Sequence, residues 1–279
     1  MPSILIFGPG YTAGRLADRL AIEGWRVIPV RRDADDDEVR AAIASVDHIL
    51  SSVPPDKDGR DPILDLYGAV LAAAPARWIG YLSSTGVYGD TGGAWVDEGA
   101  PIGTGRRGAR AAADAAWGVL HPEARVFRLP GIYGPGRSPL DRVKSGAARR
   151  VDLPEQVFSR IHVDDIGDAL IASFEGPAGI YNIADDRPVS QNTVVEEACR
   201  LLDMMPPPLL SLDDAGLSPQ ARAFYAENRR VANGKAKRLL RWAPRHADYR
   251  AGLAALARNA TTSPASASAT PNAADKDQR

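Results

Sequence analysis

The opening segment constrains the fold more than any other part of the chain. Ser3–Phe7 form a short apolar run, and the turn Gly8-Pro9-Gly10-Tyr11-Thr12-Ala13 follows it directly. The next stretch carries Leu16, Leu20 and Ile22 on one helical side, so the order strand, tight turn, helix is predicted. An apolar strand that enters a helix through a glycine-rich turn is typical of the first unit of a parallel α/β sheet.

The same turn fits the G-x-G-x-x-G/A fingerprint of dinucleotide-binding proteins. Gly8 allows the tight turn, Gly10 lets the backbone approach a pyrophosphate, and Ala13 keeps the helix close to its strand. The amides and partial positive charge of the helix start, with Tyr11 and Thr12 in its first turn, favour phosphate groups. An ordinary strand-to-helix turn is the alternative, and we predict the dinucleotide site.

The rhythm of short apolar strands and helices continues along the first half of the chain. Further strands are predicted at 25–30, 47–53, 78–82 and 125–129, and helices at 35–45, 63–74 and 108–120. Such alternation implies a parallel sheet covered on both faces, because each crossover must travel back over the sheet. The predicted fold class is α/β, a Rossmann-type doubly wound parallel sheet with a small C-terminal substrate lobe.

The pattern loosens past Pro130, where helices are predicted only at 164–174 and 189–202. We therefore expect one unit over 1–258. In it, 1–135 form mainly the nucleotide-binding core, 160–185 return to that core, and 136–159 with 186–258 form the substrate lobe. Residues 259–279 contain no Val, Ile, Leu or aromatic residue, which predicts a disordered tail.

The amino-acid composition bears on which kinds of partner the chain binds and on whether it holds a metal. The chain has 34 basic and 35 acidic residues, so no global field draws it to nucleic acid or to a membrane, and a small-molecule substrate is expected. A homodimer is the candidate assembly. Four histidines and a single cysteine show no metal-ligand spacing, so no metal is expected. The start of the chain lacks the basic segment of a signal peptide, and a cytoplasmic location is the expectation.

The end of the second predicted strand bears on the choice of coenzyme. It reads Val30-Arg31-Arg32, where NAD-preferring proteins place an acidic residue on the ribose 2′-hydroxyl. Two guanidiniums bind a 2′-phosphate far better than a neutral hydroxyl, so NADP is predicted over NAD. Two alternatives stay open: Asp33 takes the hydroxyl-binding role, or the arginines only pair with the acidic run 35–38.

Five later segments carry a family resemblance. They are Ser83-Ser84-Thr85-Gly86-Val87-Tyr88-Gly89-Asp90, Arg128-Leu129-Pro130-Gly131-Ile132-Tyr133-Gly134-Pro135-Gly136, Arg160-Ile161-His162-Val163-Asp164-Asp165-Ile166, Tyr181-Asn182-Ile183-Ala184 and Lys237-Arg238-Leu239-Leu240-Arg241-Trp242-Ala243-Pro244. In this order they resemble the extended short-chain dehydrogenase/reductases, the NAD(P)-dependent epimerases and dehydratases. The resemblance implies a Rossmann sheet carrying NAD(P) and a lobe that closes over the substrate. The further cofactor contacts assigned on this basis are Ser52, Val53, Pro54, Ser83, Pro130, Gly131 and Ile132.

The catalytic pattern departs from that family. Its members use a Ser or Thr, which Ser84 matches, together with a Tyr-x-x-x-Lys pair that is absent from residues 103–113. Arg107 and Arg110 stand there instead, and a guanidinium cannot act as a general base. We assign Arg107 or Arg110 to stabilising developing negative charge. The sequence therefore resembles an atypical branch of the family.

Other residues can be weighed as replacements for the missing tyrosine. Tyr88 and Tyr133 follow predicted strands at the edge where ligands bind in open α/β sheets, and Tyr88 is taken as the candidate. His162 has a suitable pKa range, although a structural hydrogen bond is the favoured interpretation of its setting.

Two functions follow from these features. The first is an NADP-dependent oxidoreductase or epimerase/dehydratase-like enzyme acting on a polar small molecule, nucleotide-linked ones included. The second is a catalytically impaired sensor that binds NADP(H) and regulates a partner, since cofactor affinity does not depend on the proton relay.

Overall fold

The computed structural model describes residues 1–105 and 107–262. The strands are, in chain order, β1 (Ser3–Phe7), β2 (Arg26–Val30), β3 (His48–Ser51), β4 (Trp78–Ser84), β5 (Trp95–Val96), β6 (Ala124–Leu129), β7 (Gly131–Tyr133), β8 (Arg150–Val151), β9 (Arg160–His162), β10 (Gly179–Asn182), β11 (Leu209–Leu210) and β12 (Arg230–Val231). The α-helices are α1 (Tyr11–Ile22), α2 (Asp36–Ile43), α3 (Pro62–Ala72), α4 (Gly108–Leu120), α5 (Pro139–Lys144), α6 (Val163–Ala172), α7 (Gln191–Leu201), α8 (Pro219–Phe224), α9 (Gly234–Leu239) and α10 (Tyr249–Thr262).

A six-stranded parallel sheet forms the centre of the molecule, in the order β10-β6-β4-β3-β1-β2. This confirms the predicted α/β, Rossmann-type fold. Strand β2 lies at the edge, and Pro29 within it fits there because proline has no N–H to give to a second neighbour. The strand order reverses between β1 and β3, so a ligand crevice is expected outside the carboxyl ends of these strands.

Both faces of the sheet are covered, as the short apolar strands require. Along β1, Ile4 and Ile6 belong to a buried cluster that also holds α1 and α6, whereas Leu5 and Phe7 belong to the cluster beneath α2, α3 and α4. The alternation of a single strand between two cores explains why its sequence is apolar throughout. No helix of the described residues combines the length and the apolar content that crossing a membrane needs.

A third buried cluster unites α5, α7 and α10 and forms the lobe. Part of the segment assigned to that lobe lies elsewhere. Strand β12 pairs with β5, and Ala236, Leu240 and Trp242 join the core cluster of α1 and α6. Two-residue strands such as β12 leave no periodic pattern in a sequence, which is why this return to the core was not predicted.

The segment past Pro130, where the sequence pattern loosens, contains a helix that was not predicted. Helix α5 begins at a capping box in which Ser138 accepts from the Asp141 amide at 3.1 Å and Asp141 accepts from the Ser138 amide at 3.1 Å. At the other end of the chain, α10 reaches Thr262, so the first four residues of the predicted tail are helical. The remainder of that tail, 263–279, lies outside the described residues.

Two helical glycines provide a test of the packing. A Cβ at Gly252 in α10 would lie 2.7 Å from Cζ of Tyr133, whereas a Cβ at Gly167 in α6 meets nothing within 4 Å. Gly252→Ala should lower the free energy of unfolding by about 1–3 kcal/mol through overpacking. Gly167→Ala should raise it by up to about 1 kcal/mol, because alanine favours the helix. Urea unfolding of both variants checks this, and equal effects would contradict the packing of α10 on Tyr133.

Candidate functional site

The carboxyl ends of the parallel strands open into two adjoining cavities. The first, of about 840 Å³, runs along the glycine turn and the ends of β2, β3 and β4; we call it the glycine-turn groove. The second, of about 540 Å³, lies between the sheet edge and the lobe and is lined by six arginines; we call it the arginine cavity. Residues that line both are Ser84, Arg107, Pro130, Ile132, Arg137 and Phe224.

The glycine turn has the geometry of an anion site. Gly8 has φ +66°, its amide donates to Val30 O at 3.0 Å, and a Cβ there would lie 2.8 Å from Val53 Cγ2. Gly10 is the N-cap of α1 and no side chain caps that helix. The amides of the first turn therefore face the groove without a side-chain partner, which suits a phosphate group.

The predicted contacts of this turn divide between the groove and the core. Gly8, Gly10, Tyr11 and Thr12 line the groove. Ala13 is fully buried in the cluster beneath α1, where its small side chain keeps the helix close to the sheet. The Tyr11 hydroxyl donates to Pro135 O at 3.0 Å.

Arg31 and Arg32 follow the end of β2 directly, are exposed, and line the groove. Two residues of the neighbouring acidic run are engaged elsewhere, since Asp35 caps α2 and Asp36 accepts from the Tyr67 hydroxyl. Within residues 1–105 and 107–262, no carboxylate forms an ion pair with either arginine. Asp33 is exposed and is not part of the groove wall.

The remaining predicted cofactor contacts lie at the ends of β3, β4 and β6. Ser52, Val53, Pro54, Ser83, Pro130 and Ile132 line the groove. Gly131 differs, because it lines the arginine cavity instead. The Ser52 hydroxyl donates to Gly8 O at 2.5 Å and so ties β3 to the glycine turn. The role of these residues in binding a cofactor stays a prediction.

Ser84 is the last residue of β4 and lines both cavities. Its Oγ accepts from the Gly86 amide at 3.1 Å, capping the 3-10 helix Thr85–Tyr88. This bond uses an oxygen lone pair, so the hydroxyl proton remains available to a ligand. Ser84 is therefore placed to donate a hydrogen bond where the two cavities meet.

Arg107 is the N-cap of α4, and its side chain lies against Gly86, where a Cβ would come within 2.5 Å of Arg107 Cδ. Its guanidinium lies 5.6 Å from the centre of the Phe224 ring. Arg110, one turn along, lines only the groove and donates to the Tyr81 hydroxyl at 3.2 Å. The helix that carries the catalytic pair in the resembled family thus presents two positive charges here.

The structure does not support a catalytic role for Tyr88. Its hydroxyl donates to Asn182 Oδ1 at 2.7 Å and accepts from Arg128 Nη1 at 2.9 Å, and the residue lines neither cavity. Burial raises the pKa of Tyr88, which keeps the phenol protonated. The sequence placed Tyr88 in a loop at the sheet edge, but the 3-10 helix turns its side chain into the core.

Tyr133 and His162 are also removed from the cavities. Burial raises the pKa of Tyr133 well above its ordinary value. His162 caps α6, accepting from the Asp164 amide at 3.2 Å, and burial lowers its pKa to about 4. The structural interpretation of His162 is the one that the geometry favours.

A buried ion pair, which was not predicted from the sequence, connects α4 to β6. Arg128 Nη2 donates to Asp114 Oδ1 at 2.7 Å, with the two side chains 2% and 0% exposed. Asp114 Oδ2 also accepts from the Ser83 hydroxyl at 2.5 Å. The signal was present in the sequence, since Arg128 interrupts an apolar strand covered on both faces and a charge there requires a partner.

Comparison with known structures shows which proteins share this fold. A human epimerase family protein solved with NADPH is 17% identical, with a TM-score of 0.75, over 92% of this chain and 99% of that one. The UDP-glucose 4-epimerase of Thermotoga maritima, solved with UDP-glucose, is 17% identical, with a TM-score of 0.72, over 93% and 98%. The fold is that of the NAD(P)-dependent epimerase/dehydratase proteins.

A nearer relative places the chain in a particular family. A conserved protein of unknown function from Silicibacter pomeroyi is 42% identical, with a TM-score of 0.84, over 93% of this chain and 99% of that one. The chain belongs to the same family as this protein. No family model matches the chain.

One curated protein offers a partial match. It is a 3-diazoavenalumate denitrifying reductase from a Streptomyces species, 32% identical over 142 residues. The match covers 46% of this chain and 45% of that enzyme, so this chain spans less than half of the relative's length.

The buried ion pair generates a stability prediction. Asp114→Ala would leave Arg128 buried without its counter-charge and should lower the free energy of unfolding by about 3–5 kcal/mol. Asp213→Ala is the control, because Asp213 is 87% exposed beside Arg222 and such a pair contributes at most about 1 kcal/mol. Urea unfolding of the two variants measures the difference, and a loss at Asp114 as small as that at Asp213 would show that the pair does not hold the site.

Proposed function

We propose that this chain is an NADPH-dependent reductase of a small organic molecule, with the coenzyme in the glycine-turn groove and the acceptor in the arginine cavity. The observation that carries the proposal is that the two cavities meet at Ser84 and Arg107. A donor in one cavity and an acceptor in the other would then lie side by side, as a transfer between them requires.

The residues of the groove fit a dinucleotide phosphate. The uncapped start of α1 and the positive φ of Gly8 suit the pyrophosphate, and Arg31 and Arg32 suit a 2′-phosphate. The human protein of the same fold was solved with NADPH, which supports the assignment. When bound, the reduced nicotinamide supplies a hydride to an electrophilic atom.

Reduction is the direction that the chain's own side chains favour. For an aldehyde acceptor, hydride addition at the carbonyl carbon leaves negative charge on the oxygen, which the Ser84 hydroxyl and the Arg107 guanidinium stabilise. A proton from Ser84, replaced from water, completes the alcohol. Epimerisation and dehydration in such proteins begin with oxidation of a substrate alcohol, in which a base takes the hydroxyl proton as hydride leaves the carbon, and an arginine cannot serve as that base. The name of the Streptomyces relative, a reductase, supports the same direction.

A catalytically impaired NADP(H)-binding sensor is the second candidate. The observation in its favour is that Tyr88, Tyr133 and His162 all lie outside the two cavities, so that none replaces the missing proton relay. A sensor needs the groove but no turnover, and the two candidates are separated by activity.

The preference for NADPH over NADH tests whether Arg31 and Arg32 in the glycine-turn groove bind the 2′-phosphate. Replacing Arg31 and Arg32 by Gln should weaken NADPH binding about tenfold or more, because charge-assisted bonds to the 2′-phosphate are lost. NADH binding should stay unchanged, since NADH lacks that phosphate. Fluorescence titration measures both, with Arg200→Gln, an exposed arginine paired to Glu197, as the matched control. Equal affinity of the wild type for NADPH and NADH would refute the assignment of the two arginines.

The rate of NADPH oxidation tests the role of Ser84 at the junction of the two cavities. Ser84→Ala should lower the rate of NADPH oxidation with an aldehyde acceptor by about a hundredfold, the order expected when one donor to a developing oxyanion is removed. The dissociation constant of NADPH should not change. Ser211→Ala, whose hydroxyl bonds to Asp214 on the lobe surface, is the control. Absence of NADPH oxidation by the wild type across a broad panel of carbonyl acceptors would favour the sensor.

A further inference from the structure

The arginine cavity has a strong excess of positive charge. The charged residues that line it are Arg107, Arg137, Arg142, Arg149, Arg160, Arg229 and Glu227. The single carboxylate is already paired, because Arg229 Nη1 lies 3.0 Å from Glu227 Oε2. The whole chain has a formal charge of only -1, so this concentration is local. A concave wall of one sign focuses its field and raises the local concentration of the opposite ion.

Part of the positive charge of the arginine cavity comes from a buried residue of its wall, Arg160. Its side chain is 6% exposed and donates to the carbonyl oxygens of Phe158 at 2.8 Å and Val189 at 3.1 Å, while Gln191 Oε1 accepts at 3.2 Å. These partners are neutral, so they satisfy its hydrogen bonds without cancelling its charge. Burial raises the pKa of the neighbouring Asp185 to about 7, so that this carboxyl compensates Arg160 only in part near neutral pH.

Two further arginines lie at the lobe end of the cavity. Burial raises the pKa of the Tyr225 phenol, and the positive charges of Arg142, on α5, and of Arg160 partly oppose that rise. Arg149 donates from Nη1 to the carbonyl oxygens of Gly146 and Ala148, both at 2.8 Å. Among the described residues, no carboxylate pairs with Arg142 or Arg149. Their positive charge is therefore presented to a ligand.

The rest of the cavity wall is aromatic and apolar. Phe158 and Tyr225 meet edge to face, with ring centres 5.5 Å apart. Phe224 is 47% exposed, a high value for its residue type, and lies at the junction with the glycine-turn groove. Aromatic walls of this kind favour a flat unsaturated ligand, which can pack against their faces and edges.

We infer that the arginine cavity binds an aromatic or conjugated carboxylate. Its carboxylate is held by Arg142 and Arg149 at the lobe end, beside the buried charge of Arg160, and its reducible group lies at Ser84 and Arg107. This inference rests on the proposed function and narrows it to one class of substrate. A volume of about 540 Å³ is within the range of small-ligand sites.

Binding to the NADP-loaded protein tests the inference without turnover. Isothermal titration calorimetry would compare cinnamate with cinnamamide, which has the same body without the charge, with acetate, which has the charge without the body, and with UDP-glucose. Cinnamate should bind at least about tenfold more tightly than each of the others, because only it meets both the arginines and the aromatic wall. Cinnamamide or UDP-glucose binding as tightly as cinnamate would overturn the inference, and so would the absence of cinnamate binding up to about 10 mM.

Substitution of Arg142 and Arg149 tests where in the arginine cavity the carboxylate of the ligand binds. The double variant Arg142→Gln and Arg149→Gln, both at exposed positions, should weaken cinnamate binding about tenfold or more while leaving cinnamamide and NADPH binding unchanged. Arg200→Gln should change none of them. Equal loss for cinnamate and cinnamamide would mean that the variants alter the cavity's shape, and would overturn the placement of the carboxylate.

A parallel assay separates this inference from the proposed function. NADPH oxidation would be followed with 4-carboxybenzaldehyde and with its methyl ester. Preference for the acid supports both proposals, whereas equal turnover of acid and ester keeps the reductase and overturns the carboxylate site. Charge-dependent cinnamate binding with no oxidation by any acceptor keeps the ligand site and overturns the reductase.

Discussion

The buried pair of Asp114 and Arg128 is the interaction on which the site depends. It joins α4 to β6, and Asp114 also accepts from Ser83 at the end of β4. Arg128 continues the network through Tyr88 to Asn182 in β10. A network of this kind is stable only when every member is satisfied. It therefore fixes the relative positions of three strands and one helix at the edge where Ser84 and the start of α4 face the cavities.

At the same edge, the charge at the start of α4 differs from that of the resembled family. In the resembled family a tyrosine near the start of α4 exchanges a proton with substrate, whereas here Arg107 and Arg110 occupy that region. A permanent positive charge cannot accept a proton, but it lowers the energy of an acceptor that becomes negative on receiving hydride. On the proposed reductase function, a fixed positive charge takes the place of a reversible acid/base group, which suits acceptors that are electrophilic enough to need no strong general acid.

The sequence predicted features that depend on neighbouring residues and missed those that depend on distant ones. The glycine turn, the end of β2 at Val30 and the strand Ser3–Phe7 are local, and the structure has each where it was expected. The arginine cavity collects residues from 84 to 231, and neither composition nor periodicity connects them. The buried position of Tyr88 was missed for the same reason, since its hydroxyl bonds to Asn182, 94 residues away.

The segment around β12 holds one side of the wall of the arginine cavity in place. Arg229 donates to Gly89 O at 2.6 Å, the Asn228 amide donates to Asp90 Oδ1 at 2.8 Å, and β12 pairs with β5. These bonds anchor the lobe side of the cavity to the loop that follows Tyr88, which the Asp114 network in turn holds. Like charges can be kept close in a folded protein only when rigid contacts oppose their repulsion. If the cavity binds a carboxylate as we infer, its wall is already assembled, so that the free energy of binding need not be spent on assembling it.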